Sequence, residues 1–411
     1  MATVLVDPLQ GKSLSAPLQP GIVTRLFPVE KVTPVLESVG RNSRRQRDLP
    51  AQVMVYYVVA MAFYMHAAYR EVLRCIWEEI RAVRRGREPW RVAVESAITQ
   101  ARQRLGWEAM RELYHALVSP LAVRQTRGAW YRSWRVMTLD GSTLDVSDTP
   151  ENDRAFGRPK ASRGRSAFPQ IRLVALLENG THLLFRAVMG GYRAAETKLA
   201  EALLCWLTPE MLCLADRGFY SYALWRQALG TGCALLWRVK KDIRLPCLKR
   251  LCDGSYLSRV YPAGDRRRDP EEGILVRVIE YTVKAAGRRE TRYRLVTSIL
   301  DPEQAPAEEL AALYHERWEV ETTVRELKTY LRGANVVLRS KLPDLVRQEF
   351  YGLLLAHAAA RALMHEAALQ ADLDPDRLSF THTVRVLRRR LPAAHAFSPG
   401  GAAHGAAAGA A

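Results

Sequence analysis

At 411 residues, 48% of them hydrophobic, the chain is long enough for two or three domains, each with its own core. Its 61 Lys and Arg against 43 Asp and Glu leave a formal net charge of +18, which selects no fold but points to a polyanionic partner. Six cysteines (Cys75, Cys205, Cys213, Cys233, Cys247 and Cys252) form no C-x2-C pair and have no His at zinc-finger spacing, so they predict buried thiols in a reducing cytoplasm rather than disulfides or metal ligands.

Residues 1 to about 40 are punctuated by Pro, and no basic segment followed by an apolar core marks a secretion signal. Arg41 to Arg47 ("RNSRRQR") is a basic cluster directly ahead of Ala51 to Tyr69 ("AQVMVYYVVAMAFYMHAAY"). That run approaches the length of a membrane span. Gln52 and His66 interrupt it, and basic residues flank both ends, so it reads as a buried core helix and no membrane is expected. Tyr69 to Arg84 continues as a long helix or a helix pair. Glu95 to Leu105 is a helix closed by Gly106 at its C-cap, and Trp107 to Val118 is another, ended by Ser119-Pro120. Residues 1–128 therefore read as an all-helical domain. Within it Gln100, Arg102 and Arg104 are candidates to meet DNA, with Arg45 and Arg47 as backbone contacts; the alternative for each is a solvated helix face.

At Trp134 the period changes. "WRVMTLDGSTLDV" alternates and is β-rich, with Asp-Gly predicted as a tight turn between two strands and Asp140 at the end of the first. Asp145 and Asp148 are rivals, but Asp140 follows the continuous apolar run. Pro169 to Leu177 and His182 to Met189 form a hairpin through Asn179-Gly180, and Arg193 to Trp206 reads as a helix. "EMLCLADRGFYS" is a short apolar strand ending in Asp216, then a turn and a helix, as at the crevice of an open α/β sheet. Residues 129–233 make up this first part of an α/β core. The next stretch, residues 234–310, is β-rich and basic and reads as a β-strand insertion.

Tyr314 to Lys328 ("YHERWEVETTVRELK") holds no Gly or Pro and has helical spacing. At roughly 100° per residue, Tyr314, Arg317, Glu321 and Lys328 share an arc of about 60°. Three of these suit phosphate oxygens and the carboxylate suits a hard metal ion, although a salt-bridged surface is the commoner fate of such a stripe. This helix belongs to residues 311–370, which close with a long helix from about Pro343 to Gln370. Residues 371–411 are a basic helical segment and a low-complexity tail.

The Tyr-x2-Arg-x3-Glu-x6-Lys spacing, preceded by two strand-end Asp residues, resembles the signature of bacterial insertion-sequence transposases of the DDE type. The resemblance implies a ribonuclease-H-like catalytic core interrupted by the β insertion and preceded by a domain that binds transposon ends. It implies Asp140, Asp216 and Glu321 as catalytic ligands of two Mg²⁺ ions, with Mn²⁺ able to substitute. Tyr314, Arg317 and Lys328 would then hold the DNA, and Tyr293 would match an aromatic that receives an unstacked base. It further implies double-stranded DNA as partner, a homodimer at synapsis, a hairpin intermediate in cut-and-paste transposition, and a place on the bacterial nucleoid. The tail departs from the basic helical end usual in that family, which leaves open a decayed copy acting as a DNA-binding regulator; a structure-selective nuclease of the same fold, without strand transfer, is the other alternative.

Overall fold

The structure is a computed structural model that describes residues 22–43, 49–75, 93–160, 168–262, 264, 272–283, 291–317, 319–331, 333 and 337–390; of residues 22, 283, 291, 292, 319–321, 330 and 390 only the backbone is described. It divides into two compact units, one of residues 1–119, 329–367 and 377–411, the other of residues 120–328 and 368–376.

The first unit is helical. It contains α1 (Ile22–Leu26), α2 (Val29–Ser38), α3 (Ala51–Phe63), α4 (Tyr69–Cys75), α5 (Glu95–Leu105) and α6 (Trp107–Leu117). Helix α3 is apolar all round, and every residue in it except Gln52 is buried, as a helix at the centre of a core must be. A long later helix presents Gly352 to it: a Cβ there would fall 2.6 Å from Val58 Cγ1 and 2.8 Å from the Val58 carbonyl oxygen. The glycine therefore lets two helical backbones touch. No helix among the described residues is long and apolar enough to cross a membrane. Gly106 ends α5 with φ at 76°, a positive value that glycine adopts without the strain a side chain would bring.

One DNA candidate of α5 is part of this core. Arg102 is buried and donates to Gln348 Oε1 at 2.9 Å, Ser340 Oγ at 3.0 Å and the Leu345 carbonyl at 3.1 Å. Gln100 and Arg104 lie two residues either side and are exposed, because a helix turns them roughly 160° away from Arg102. Arg45 and Arg47 lie outside the described residues.

The second unit is built on one sheet of ten strands. These are β1 (Trp130–Tyr131), β2 (Trp134–Asp145), β3 (Gln170–Glu178), β4 (Leu183–Gly191), β5 (Met211–Ala215), β6 (Ala234–Arg238), β7 (Lys249–Arg250), β8 (Tyr256–Val260), β9 (Ile274–Val283) and β10 (Thr291–Thr297). Their order is β4-β3-β2-β5-β6-β10-β9-β8-β7, with β1 paired to β2. β2, β5 and β6 run parallel; the other pairings are antiparallel. Continuous apolar runs such as "MLCLA" and "ALLW" fit strands buried on both faces.

The strands of residues 234–310 extend the same sheet, with β6 paired to β5 on one side and to β10 on the other. Three expectations change here. Asp140-Gly141 is not a turn: β2 runs unbroken through it, with Asp140 paired to Ala175 and Gly141 to Val174 on β3. The helix expected over Arg193 to Trp206 is shorter, α7 being Pro150–Phe156 and α8 only Glu196–Glu201, followed by a 3₁₀ turn at Leu204–Trp206. All six cysteines are free, but only Cys213 and Cys233, in or beside strand interiors, are buried; Cys205, Cys247 and Cys252 are exposed.

Helix α9 (Tyr222–Leu229) covers one face of the sheet, its Trp225 meeting Trp237 edge to face at 5.2 Å. Helix α10 (Ala307–Glu316) covers the other. There Val136, Leu212, Leu214, Leu236, Ile279 and Leu295 pack with Leu310, Leu313 and Tyr314 in one apolar cluster. The start of α10 is tied to the β7–β8 turn. Asp253 Oδ2 accepts from the Ala307 backbone N–H at 2.9 Å and from the fully buried Arg277, which also donates to the Ala305 carbonyl at 2.7 Å.

Candidate active site

Side chains alternate faces along a strand, so the residues two beyond Leu214 and Leu236 face α10 as those two do. In register, Leu139 stands beside Ala215, and Ala215 beside Trp237. One residue further along three parallel strands come Asp140, Asp216 and Arg238, a row of two carboxylates and a guanidinium at the carboxyl ends of β5 and β6 and within β2. The rival carboxylates are engaged elsewhere: Asp145 accepts from Gln170 Nε2 at 2.7 Å and Asp148 from Arg158 at 2.5 Å.

Asp140 is crowded. Burial pushes its pKa up to about 6, the Asp216 and Glu196 carboxylates add to the rise, and Arg317 and the Gly141 N–H offset part of it. Glu196 reaches this point from the first turn of α8: a Cβ on Gly141 would lie 3.0 Å from its Cδ, and Arg172 pairs with it at 3.2 Å. Arg317 is held on the other side. Burial works against its charge, but the Tyr314 hydroxyl and the Asp216 and Asp140 carboxylates outweigh that and raise its pKa. Its Nε is buried with no hydrogen-bond partner among the described residues.

Tyr314 sits differently from expectation. It is buried in the apolar cluster, and its hydroxyl donates to the Ala215 carbonyl and Asp216 Oδ1, both at 3.4 Å. It braces the second carboxylate, and no free hydroxyl faces solvent for DNA. The single helix expected from Tyr314 to Lys328 is also three pieces. α10 ends at Glu316 with Arg317 as its C-cap, α11 runs Glu319–Arg325, and Glu326–Leu331 widens into a π-helical turn. The arc of about 60°, drawn for an unbroken helix, therefore does not carry past Arg317 or into the turn holding Lys328. π turns recur at functional sites. Glu321 is a residue of α11, and its side chain lies outside the described residues.

Tyr293 is brought to the site by register. It pairs with Tyr281 across β10 and β9, and the two rings stack at 5.2 Å with planes 14° apart. Both pack against the cluster that holds Tyr314, and Arg238 lies 4.3 Å from the centre of the Tyr293 ring. Burial, then the neighbouring Tyr293, pushes the Tyr281 pKa up to about 12. Trp237, on the neighbouring β6, points to the opposite face, where it meets Trp225. From the sequence Tyr281 is only a rival to Tyr293, and Arg238 and Glu196 are not candidates for the site. Arg238 carries the same strand-end signal as Asp216, whereas Tyr281 and Glu196 need the strand register and the position of α8.

Chemically, two carboxylates at neighbouring positions of adjacent parallel strands, with burial and like charge opposing ionisation of one, form a set of oxygen donors. Such a set fits a hard divalent cation. A carboxyl with a folded pKa near 6, against 3.8 ordinarily, keeps its proton longer in the folded state. Stability therefore falls as pH rises between those values, and the penalty persists above them. Asp140→Asn, which keeps the shape and removes the charge, should then stabilise the metal-free protein near neutral pH by about 1–2 kcal/mol, roughly 2–4 °C in melting temperature, and have no effect near pH 4. A melting series over pH checks this, and a variant destabilised at neutral pH would refute it.

Comparison with known proteins gives this geometry a family. Residues 17–115 match the profile described as insertion element 4 transposase N-terminal, and residues 134–358 match the transposase DDE domain. The chain is 31% identical over 375 residues to the transposase InsG for insertion sequence element IS4 of Escherichia coli (strain K12), covering 90% of this chain and 83% of that protein. It is 29% identical over 227 residues to the putative transposase InsZ of the same organism, covering 54% of this chain and 73% of that one. Among solved structures it is similar to a piggyBac transposase in a synaptic complex with hairpin DNA, with a TM-score of 0.46, 12% identity, and coverage of 90% and 79% of the two chains. With more than half its length on the DDE domain and that identity to an IS4 transposase, the chain belongs to the IS4-type DDE transposases, the DNA-cleaving and strand-transferring enzymes of insertion sequences.

Proposed function

We propose that this transposase excises and inserts its element by cut and paste through a ribonuclease-H-like core, β4-β3-β2-β5-β6, in which Asp140, Asp216 and Glu321 hold two Mg²⁺ ions. The observation that carries this is the placement of Asp140 and Asp216 on adjacent parallel strands, one residue beyond the paired Leu139 and Ala215, with Arg317 electrostatically coupled to both. When bound, the ions supply charge stabilisation to the attacking and leaving oxygens of an in-line displacement at phosphorus. The protein's own share is positional. Tyr314 fixes Asp216, Arg317 offers to a phosphate oxygen its Nε–H, which has no partner among the described residues, and Lys328 draws in the DNA backbone. The N-terminal region, residues 1–128, with exposed Gln100 and Arg104, binds the element's ends, and two copies pair those ends as a homodimer on nucleoid DNA.

The test is incubation of the chain with linear DNA bearing the element's ends, with and without Mg²⁺. Release of the element with hairpin ends only when Mg²⁺ is present is the expected result. Intact DNA in both arms would overturn the reading, and cleavage without rejoining would reduce it to a nuclease. The charge excess makes a second measurement informative. Affinity for DNA should fall at least about a hundredfold between roughly 50 and 200 mM salt, through release of counterions from several phosphates. A flat salt dependence would remove the phosphate backbone from the binding energy.

A further inference from the structure

One cation of the site has no part in the scheme above. Arg238 closes β6, and its Nη1 stands 3.6 Å from Asp216 Oδ1. That is longer than a hydrogen bond, so the attraction is electrostatic and non-directional. The side chains keep 19% and 33% of their exposure, so the pair borders solvent. On its other side the guanidinium stands 4.3 Å from the centre of the Tyr293 ring, and that ring is backed by Tyr281. Among the described residues Arg238 is therefore held by one weak ion pair and one cation–π contact, both of which can be exchanged for a stronger partner.

A divalent ion on Asp216 would repel a guanidinium at this distance, so ion and arginine compete for one carboxylate. We propose that Arg238 is an internal counter-cation of Asp216 in the metal-free protein, displaced by the divalent ion and received by a phosphate of the bound DNA. The inference rests on Asp216 being a metal ligand. It couples the two ligands: without DNA, Arg238 weakens metal binding; with DNA, the phosphate gives the guanidinium a new partner and the competition is relieved. Linkage makes the effect reciprocal, so the metal tightens DNA binding by the same factor that DNA tightens metal binding.

The experiment is Mn²⁺ binding to the full chain, read by electron paramagnetic resonance, with and without a short duplex ending at the cleaved terminus of the element. Arg238→Met keeps the length and apolar stem without the charge. It should bind Mn²⁺ about threefold to fivefold more tightly than wild type in the absence of DNA and lose most of the gain on adding duplex. Arg238→Lys should keep both wild-type properties. Met-variant affinity equal to or below wild type without DNA would overturn the counter-cation role. Should that variant fail to fold, the wild type alone still decides, because a duplex that leaves its Mn²⁺ affinity unchanged overturns the coupling. Asp216→Asn separates this inference from the one beneath it: unchanged Mn²⁺ binding there would remove Asp216 from the metal site altogether.

Discussion

Asp140→Asn, Asp216→Asn and Glu321→Gln should each cut cleavage of the element's ends by about three orders of magnitude or more, while end binding stays within about twofold. Each change keeps side-chain shape and removes one charge. At Asp140 the charge is a burden on the fold, since burial, Asp216 and Glu196 all oppose it. Loss of activity there cannot be ascribed to unfolding. Asp216 is braced by the Tyr314 hydroxyl, and an amide oxygen in its place accepts the same bond. Cleavage of labelled ends in Mg²⁺, set beside mobility-shift binding of the same DNA, separates chemistry from recognition. Any variant that keeps more than a few per cent of activity drops out of the proposed triad.

The position of Asp216 was legible because the signal is local: the continuous apolar run of β5 ends at Ala215, and the next residue is the carboxylate. Asp140 lies inside β2, which continues to Asp145, so there the apolar run located the strand but not its end. The core helix Ala51–Phe63 was legible from a local signal too, its apolar residues circling the whole axis. What escaped depends on partners distant in sequence. Asp140-Gly141 reads as a turn until β3 is seen pairing straight across it. Arg102 reads as a surface cation until Gln348 and Ser340, far along the chain, are seen closing over it. The break at Arg317 and the π turn from Glu326 come without Gly or Pro to announce them. The Tyr281–Tyr293 stack needed the β9–β10 register, which a one-residue slip would reverse.

Tyr293→Ala should slow hairpin formation on the element's end by about five- to a hundredfold while sparing the first nick. A hairpin demands a sharply bent strand, and a base near the cut must leave the stack at a cost of a few kcal/mol. Stacking on an aromatic returns about 1–3 kcal/mol per base, and that return disappears with the ring. The site sets the route. One face of Tyr293 is taken by Tyr281 at 5.2 Å, and Arg238 stands 4.3 Å from the ring's centre. A base therefore gains a ring face by displacing Arg238, the same movement that would release Asp216 to a metal ion. Tyr281→Ala leaves the Tyr293 ring in place and should cost less than Tyr293→Ala. An abasic site at the position of the unstacked base removes the need for a platform and should rescue Tyr293→Ala more than wild type. The competing account is that both tyrosines only fill the face under α10, where they pack against Tyr314 and its neighbours. In that case nicking and hairpin formation fall together, the abasic end rescues nothing, and the two alanine variants behave alike.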